Sequence, residues 1–137
     1  MSVQFFLPMI PPTVTAQQHR AAAVGRGRRT VWYDTPALRD AREKFEASLA
    51  RFAPETPLQG AVRLVTKWCF PLSGSHHHGE YKTTRPDTDN LIKLFKDCMT
   101  RTGYWKDDAQ VASETTEKFY SETPGIWVFA EEIKNVV

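Results

Sequence analysis

Apolar residues recur along this chain in two different periods, and the alternation between them lays out its elements. Leu38, Ala41, Phe45, Leu49 and Phe52 fall three or four positions apart, the spacing of a helix with one buried stripe. Thr35 offers a capping oxygen and Pro36 suits the first helical position, so that helix is predicted to start there. Pro54 and Pro57 end it. A second helix is predicted from about Asn90 to Arg101, with Leu91, Leu94, Phe95, Cys98 and Met99 on one side and Gly103 as terminator. Between the helices the period drops to two. Val62, Leu64, Trp68 and Phe70 share one face of a strand over Ala61 to Phe70, and Arg63, Val65, Lys67 and Cys69 share the other.

Three further strands are predicted. Gln4 to Pro8 is stopped by Pro11-Pro12, Val111 to Tyr120 is polar enough to keep one wet face, and Ile126 to Ala130 is apolar enough to be central. Ser121 to Gly125 reads as the turn joining the last two, which are therefore expected to be antiparallel neighbours. Arg29 to Tyr33 predicts a short extended piece. Residues 13 to 28 have no useful periodicity, so a basic loop is expected over 13–30 and a polar loop over 71–86. The order β-α-β-α-β-β predicts an α/β fold (an α+β-like mixed sheet covered by helices) in one domain spanning residues 1–137.

Composition narrows the class. With 41% apolar and 25% charged residues the chain is a globule and not a disordered tail. No apolar run has the length of a bilayer span, and Met1 to Leu7 lacks the features of a signal peptide, so no membrane association and a cytoplasmic location are expected. Cys69 and Cys98 lack CxxC spacing and are expected as buried thiols. A net charge of +2 alone says little about partners, but its distribution does. Residues 19 to 29 hold Arg20, Arg26, Arg28 and Arg29 without an acid, the composition of an arm that contacts a polyanion. A solvated basic loop is the bland alternative.

The densest chemistry lies in Arg85-Pro86-Asp87-Thr88-Asp89-Asn90-Leu91 and in Lys106-Asp107-Asp108 beyond the second helix. Carboxylates this close repel one another unless a cation sits among them, and oxygen ligands suit a hard ion such as Mg²⁺. Hydrolysis of a phosphodiester is the reaction such an ion serves. An N-cap role would account for one of Asp87 and Asp89, but not for both with Asp107 and Asp108. Lys93 lies one turn from Asp89, either as a surface pair or as an ammonium poised for a scissile phosphate. Asp97 reads as surface. His76, His77 and His78 are consecutive in a glycine-bounded loop and are expected to meet solvent or DNA, not a metal.

These residues resemble the RusA family of Holliday junction resolvases. The resemblance rests on Arg85 to Leu91, Lys93 and the run Gly103-Tyr104-Trp105-Lys106-Asp107-Asp108-Ala109-Gln110-Val111, with Phe6-Leu7-Pro8 and Pro11-Pro12-Thr13 near the start. It implies a homodimer that uses Mg²⁺, with Mn²⁺ able to substitute, to resolve four-way DNA junctions by paired symmetric nicks. It also implies roles: Asp87, Asp89 and Asp108 as essential metal-binding acids, Asp107 as a secondary acid, Lys93 as a catalytic lysine, and Arg85 and Lys118 as basic positions at the DNA. Residues 13 to 30 and 71 to 84 depart most from the family pattern. Two other readings stand beside it: a non-catalytic DNA-binding protein of the same fold, and a phosphatase for a small substrate. All the expected acids are present, against the first, and no Gly-rich phosphate cradle occurs, against the second.

Overall fold

The computed structural model describes residues 1–13, 19–24 and 29–135, with side chains described in 1–13 and 34–135. Its framework is a four-stranded sheet made of β1 (Ser2–Pro8), β4 (Val62–Pro71), β5 (Val111–Ser121) and β6 (Gly125–Glu132), in the order β1-β6-β4-β5. A separate antiparallel hairpin of β2 (His19–Val24) and β3 (Arg29–Asp34) precedes helix α1 (Pro36–Ala50), and α2 (Thr88–Arg101) links β4 to β5. The sheet is mixed, as the sequence predicts: β4 and β5 run parallel, and β6 lies antiparallel to both β1 and β4.

Both predicted helices form, and their stripes are as predicted except that Phe52 falls beyond the end of α1 and is exposed. The Thr35 hydroxyl accepts from Leu38 N at 3.2 Å, and Leu38, Ala41, Phe45 and Leu49 are buried. In α2 the apolar side gains Ile92. Its end is closed by a Schellman pair around Gly103 (φ 91°): Tyr104 N reaches Met99 O at 3.1 Å and Gly103 N reaches Thr100 O at 3.2 Å. The helices cover the sheet face bearing Leu64, Trp68, Ile126 and Val128. Phe45 from α1 and Phe95 from α2 meet edge to face at 5.2 Å, and each meets Trp68 at 6.0 and 5.2 Å. Tyr104 and Trp105 are also core, their polar ends satisfied by Leu49 O at 2.7 Å and the Thr100 hydroxyl at 2.7 Å.

Two expectations are corrected. The last two strands are consecutive but not neighbours, because the chain passes the end of β4 and β6 inserts between β1 and β4. Apolar residues on both faces suit β6 to that central place, as its composition implied, while polar β5 takes the edge. Residues 19–24 are a strand and not part of a loop over 13–30. The alanine run there lacks alternation, so only its pairing with 29–34 reveals it. The rest of the basic segment, including Arg26 and Arg28, lies outside the described residues. No described helix is long and apolar enough to cross a membrane. Cys69 and Cys98 are free thiols, Cys98 fully buried and Cys69 partly so.

Candidate active site

The parallel pair β4 and β5 with α2 as its crossover sets up the site. In such a unit the helix runs antiparallel to the strands, so its two ends lie at opposite ends of the sheet. Residues 84–87 enter α2 beside the far end of β5, whereas Gly103 to Gln110 sits at the near end, where Tyr104 O accepts from Leu58 N at 2.8 Å. Lys96 and Glu114 pair at 3.4 Å halfway along.

At the entry to α2, Asp87 occupies the cap position, and its carbonyl accepts the first helical bond from Leu91 N at 3.1 Å. Its side chain makes no capping bond, so the cap reading does not account for the carboxylate. Asp89 lies in the first turn, where the helix dipole favours a negative charge. Both are exposed, as are Arg85 and Lys93. Among the described residues the carboxylates of Asp87 and Asp89 have no hydrogen-bond or ion-pair partner, and neither does the Lys93 ammonium. The i,i+4 pair of Asp89 with Lys93 therefore does not form, in contrast to Lys96 with Glu114. Asp97, expected at the surface, is partly exposed and also ties elements together: it joins Arg42, which binds Asp34 at 2.9 Å and so links both helices to the end of β3.

At the opposite end, Asp107 and Asp108 separate in role. The Asp107 carboxylate caps a short 3₁₀ turn by accepting from Ala109 N at 2.9 Å. Gln110 completes the box by accepting from Asp107 N, and it donates to Leu58 O and Gly60 O at 3.0 Å. Asp108 is exposed with its carboxylate uncommitted among the described residues. About 18 Å of helix axis separates the levels of residues 89 and 101 at 1.5 Å per residue, with Asp108 beyond the far end. One chain therefore does not bring Asp108 to Asp87 and Asp89, contrary to expectation, and no three metal-ligating side chains cluster among the described residues. The two entry acids alone still fit Mg²⁺, which is commonly held by one or two carboxylates with substrate phosphate and water completing its shell.

Much of the polar loop over 71–86 folds back onto the sheet. Gly79 N donates to Tyr120 O at 2.8 Å, Tyr120 N to Glu80 O at 2.9 Å and Lys82 N to Lys118 O at 2.9 Å, so residues 79–82 cover the outer edge of β5. His76 stacks on Tyr120 at 4.0 Å and pairs with Glu80, and His78 Nδ1 accepts from Glu122 N at 3.0 Å. Those two histidines brace the loop. Lys118 points from β5 under the turn before α2, and Lys82 bonds the Thr84 hydroxyl at 2.7 Å. Burial holds the Lys118 ammonium below its ordinary range, with Lys82 acting in the same direction and Asp87 opposing. The contribution of Lys82 has no signal in the sequence, because it depends on a turn meeting a strand more than thirty residues away. Arg20 and Arg29 fall in β2 and β3, and their side chains lie outside the described residues.

Comparison with known proteins identifies the family. The family model described as Endodeoxyribonuclease RusA matches residues 10–131. A crossover junction endodeoxyribonuclease rusA of Lactococcus phage r1t is 37% identical over 132 residues, which cover 95% of this chain and 96% of that protein. An uncharacterized protein, YqaN, of Bacillus subtilis (strain 168) is 35% identical over 91 residues, 58% of this chain and 63% of that relative. A match over nearly the whole length, through both acidic blocks and the helix between them, places this chain in the RusA family of endodeoxyribonucleases.

Proposed function

We propose that this nuclease is a Mg²⁺-dependent, structure-selective endodeoxyribonuclease that resolves four-way DNA junctions by paired nicks. The observation that carries the reading is the pair of uncommitted, exposed carboxylates of Asp87 and Asp89 at the start of α2, with the uncommitted Lys93 ammonium one turn along. Asp87 and Asp89 hold the ion, and Mn²⁺ substitutes for Mg²⁺. On binding, the metal supplies neutralisation of phosphate charge and activation of water. Lys93 stabilises charge that develops on the scissile phosphate. Arg85 contacts the DNA backbone beside the acids, and Arg20, Arg26, Arg28 and Arg29 contact it from the N-terminal basic segment. The test is cleavage of a synthetic junction and a matched linear duplex with and without Mg²⁺. Cleavage of the junction alone, only with metal, agrees with the proposal, and equal cleavage of both substrates removes the junction selectivity.

The working unit is a homodimer, matching the two-fold symmetry of a four-way junction. The sheet face away from the helices supports this, since Phe6, Val65, Trp127 and Phe129 lie together on it only partly buried, with Trp127 and Phe129 stacked at 6.3 Å. A dimer also gives Asp108 a role that one chain denies it, because a second copy can supply this acid to the Asp87 and Asp89 of the first.

A further inference from the structure

Lys118 stands where a basic residue of a nuclease would be taken for a phosphate contact, but its donors are committed elsewhere. It lies opposite Trp68 in the β4/β5 register and so projects from the helix-covered face of the sheet, toward the start of α2. Its Nζ donates to Thr84 O at 2.7 Å and to Pro86 O at 2.8 Å. An ammonium has three N–H donors, so two are consumed by the backbone immediately before Asp87. The same turn is held a second time by Lys82, which pairs with Lys118 through the backbone and with Thr84 through its side chain. The Lys82 stem is itself fixed, its ammonium lying 5.3 Å from the Phe70 ring centre and 5.1 Å from that of Tyr120.

We propose that Lys118 is a positioning residue: it straps the Thr84–Pro86 turn to β5 and thereby sets where the Asp87 and Asp89 carboxylates stand at the head of α2. The inference rests on the reading of those two acids as holders of the ion. An exposed carboxylate with no side-chain partner has nothing of its own to fix its direction, so its backbone must be held from behind. Ligands oriented in this way lose metal affinity when the orienting group is removed.

The test compares Lys118→Met, which keeps the stem and removes the donors, with Lys118→Arg, which keeps donors and charge. Mn²⁺ binding to the full-length protein without DNA is measured by calorimetry, and single-turnover junction cleavage is measured across a Mg²⁺ titration. Lys118→Met should weaken Mn²⁺ binding by about tenfold and raise the Mg²⁺ needed for half-maximal cleavage by a similar factor. Junction affinity in EDTA and its salt dependence should stay unchanged, and Lys118→Arg should recover most of both losses. Unchanged metal dependence overturns the inference. So does a salt slope smaller by about 0.9, the signature of one lost phosphate contact. If Lys118→Met loses its cooperative thermal transition, Lys118→Gln, which retains one donor group, reads the same two quantities. The double variant Asp87→Asn, Asp89→Asn separates this idea from its parent. Wild-type metal binding and cleavage there would sink the assignment of the acids, whereas their loss alongside a normal Lys118→Met would sink the strap alone.

Discussion

At the scale of single residues, the site divides acids that look alike in sequence by what each carboxylate touches. Asp107 is consumed by a capping box and Asp97 by Arg42, while Asp87, Asp89 and Asp108 remain uncommitted among the described residues. Changing Asp87 or Asp89 to Asn should therefore abolish cleavage and leave junction binding in EDTA intact, as gel shift and nicking assays would show. Retention of most of the nicking rate by both variants would remove the assignment. Lys93→Ala should slow single-turnover cleavage by about 10²-fold with a smaller change in affinity, the effect of losing one donor to the transition state. An equal loss in rate and affinity would make Lys93 an ordinary backbone clamp. The grouping of Asp87, Asp89 and Lys93 at the head of α2 is legible in the sequence because the entry to α2 is local: three residues and one helical turn fix their relation. The contacts of Lys82 and Lys118 are not, since a contact between a turn and a distant strand leaves no spacing to read.

At the scale of elements, stripes and strands were legible wherever burial is one-sided. The α1 and α2 stripes and the alternating β4 each bury one face against the same aromatic cluster, so period and burial agree. The order of strands was not legible. Neighbourhood of β5 and β6 was the natural inference from a short turn, but residues 79–82 occupy the outer edge of β5, and β6 pairs with the other edge of β4. Gly125 marks the consequence. A Cβ there would lie 2.2 Å from the tip of the Phe6 ring and 2.5 Å from the Leu7 carbonyl oxygen, so the Phe6 ring and the β1 carbonyl leave no room for a side chain. Gly125→Ala should cost about 1–3 kcal/mol in denaturant unfolding, and a cost near zero would show that β1 yields freely. Cys98 in α2 gives a pH signature. Burial, with Glu46 adding, pushes its thiol from 9.0 up to about 12. The raised value makes its contribution complete below about pH 9 and lost between about pH 9 and 12, because only the unfolded chain ionises there. Burial raises the Tyr104 hydroxyl as well. The thermal midpoint should fall as pH rises above 9, and less steeply in Cys98→Ala; parallel curves would contradict this.

At the scale of the whole molecule, one chain leaves Asp108 and the pair Asp87 and Asp89 at opposite ends of α2. Their closeness in sequence suggested a single cluster, but a helix of fourteen residues lies between them. Under the dimer proposal, mixing two inactive proteins, Asp87→Asn and Asp108→Asn, should restore nicking. A mixed dimer has one site with both lesions and one with neither. No recovery on mixing, in samples shown to exchange subunits, would confine each site to one chain. The most direct test of the account is single-turnover cleavage of a synthetic four-way junction across a Mg²⁺ titration, run in parallel on a matched linear duplex and on Asp89→Asn. The account predicts paired symmetric nicks in the junction, a rate that saturates with Mg²⁺, an inert duplex and no cleavage by Asp89→Asn despite undiminished junction binding. Metal-independent cleavage, or an Asp89→Asn protein that cuts at the wild-type rate, would contradict it.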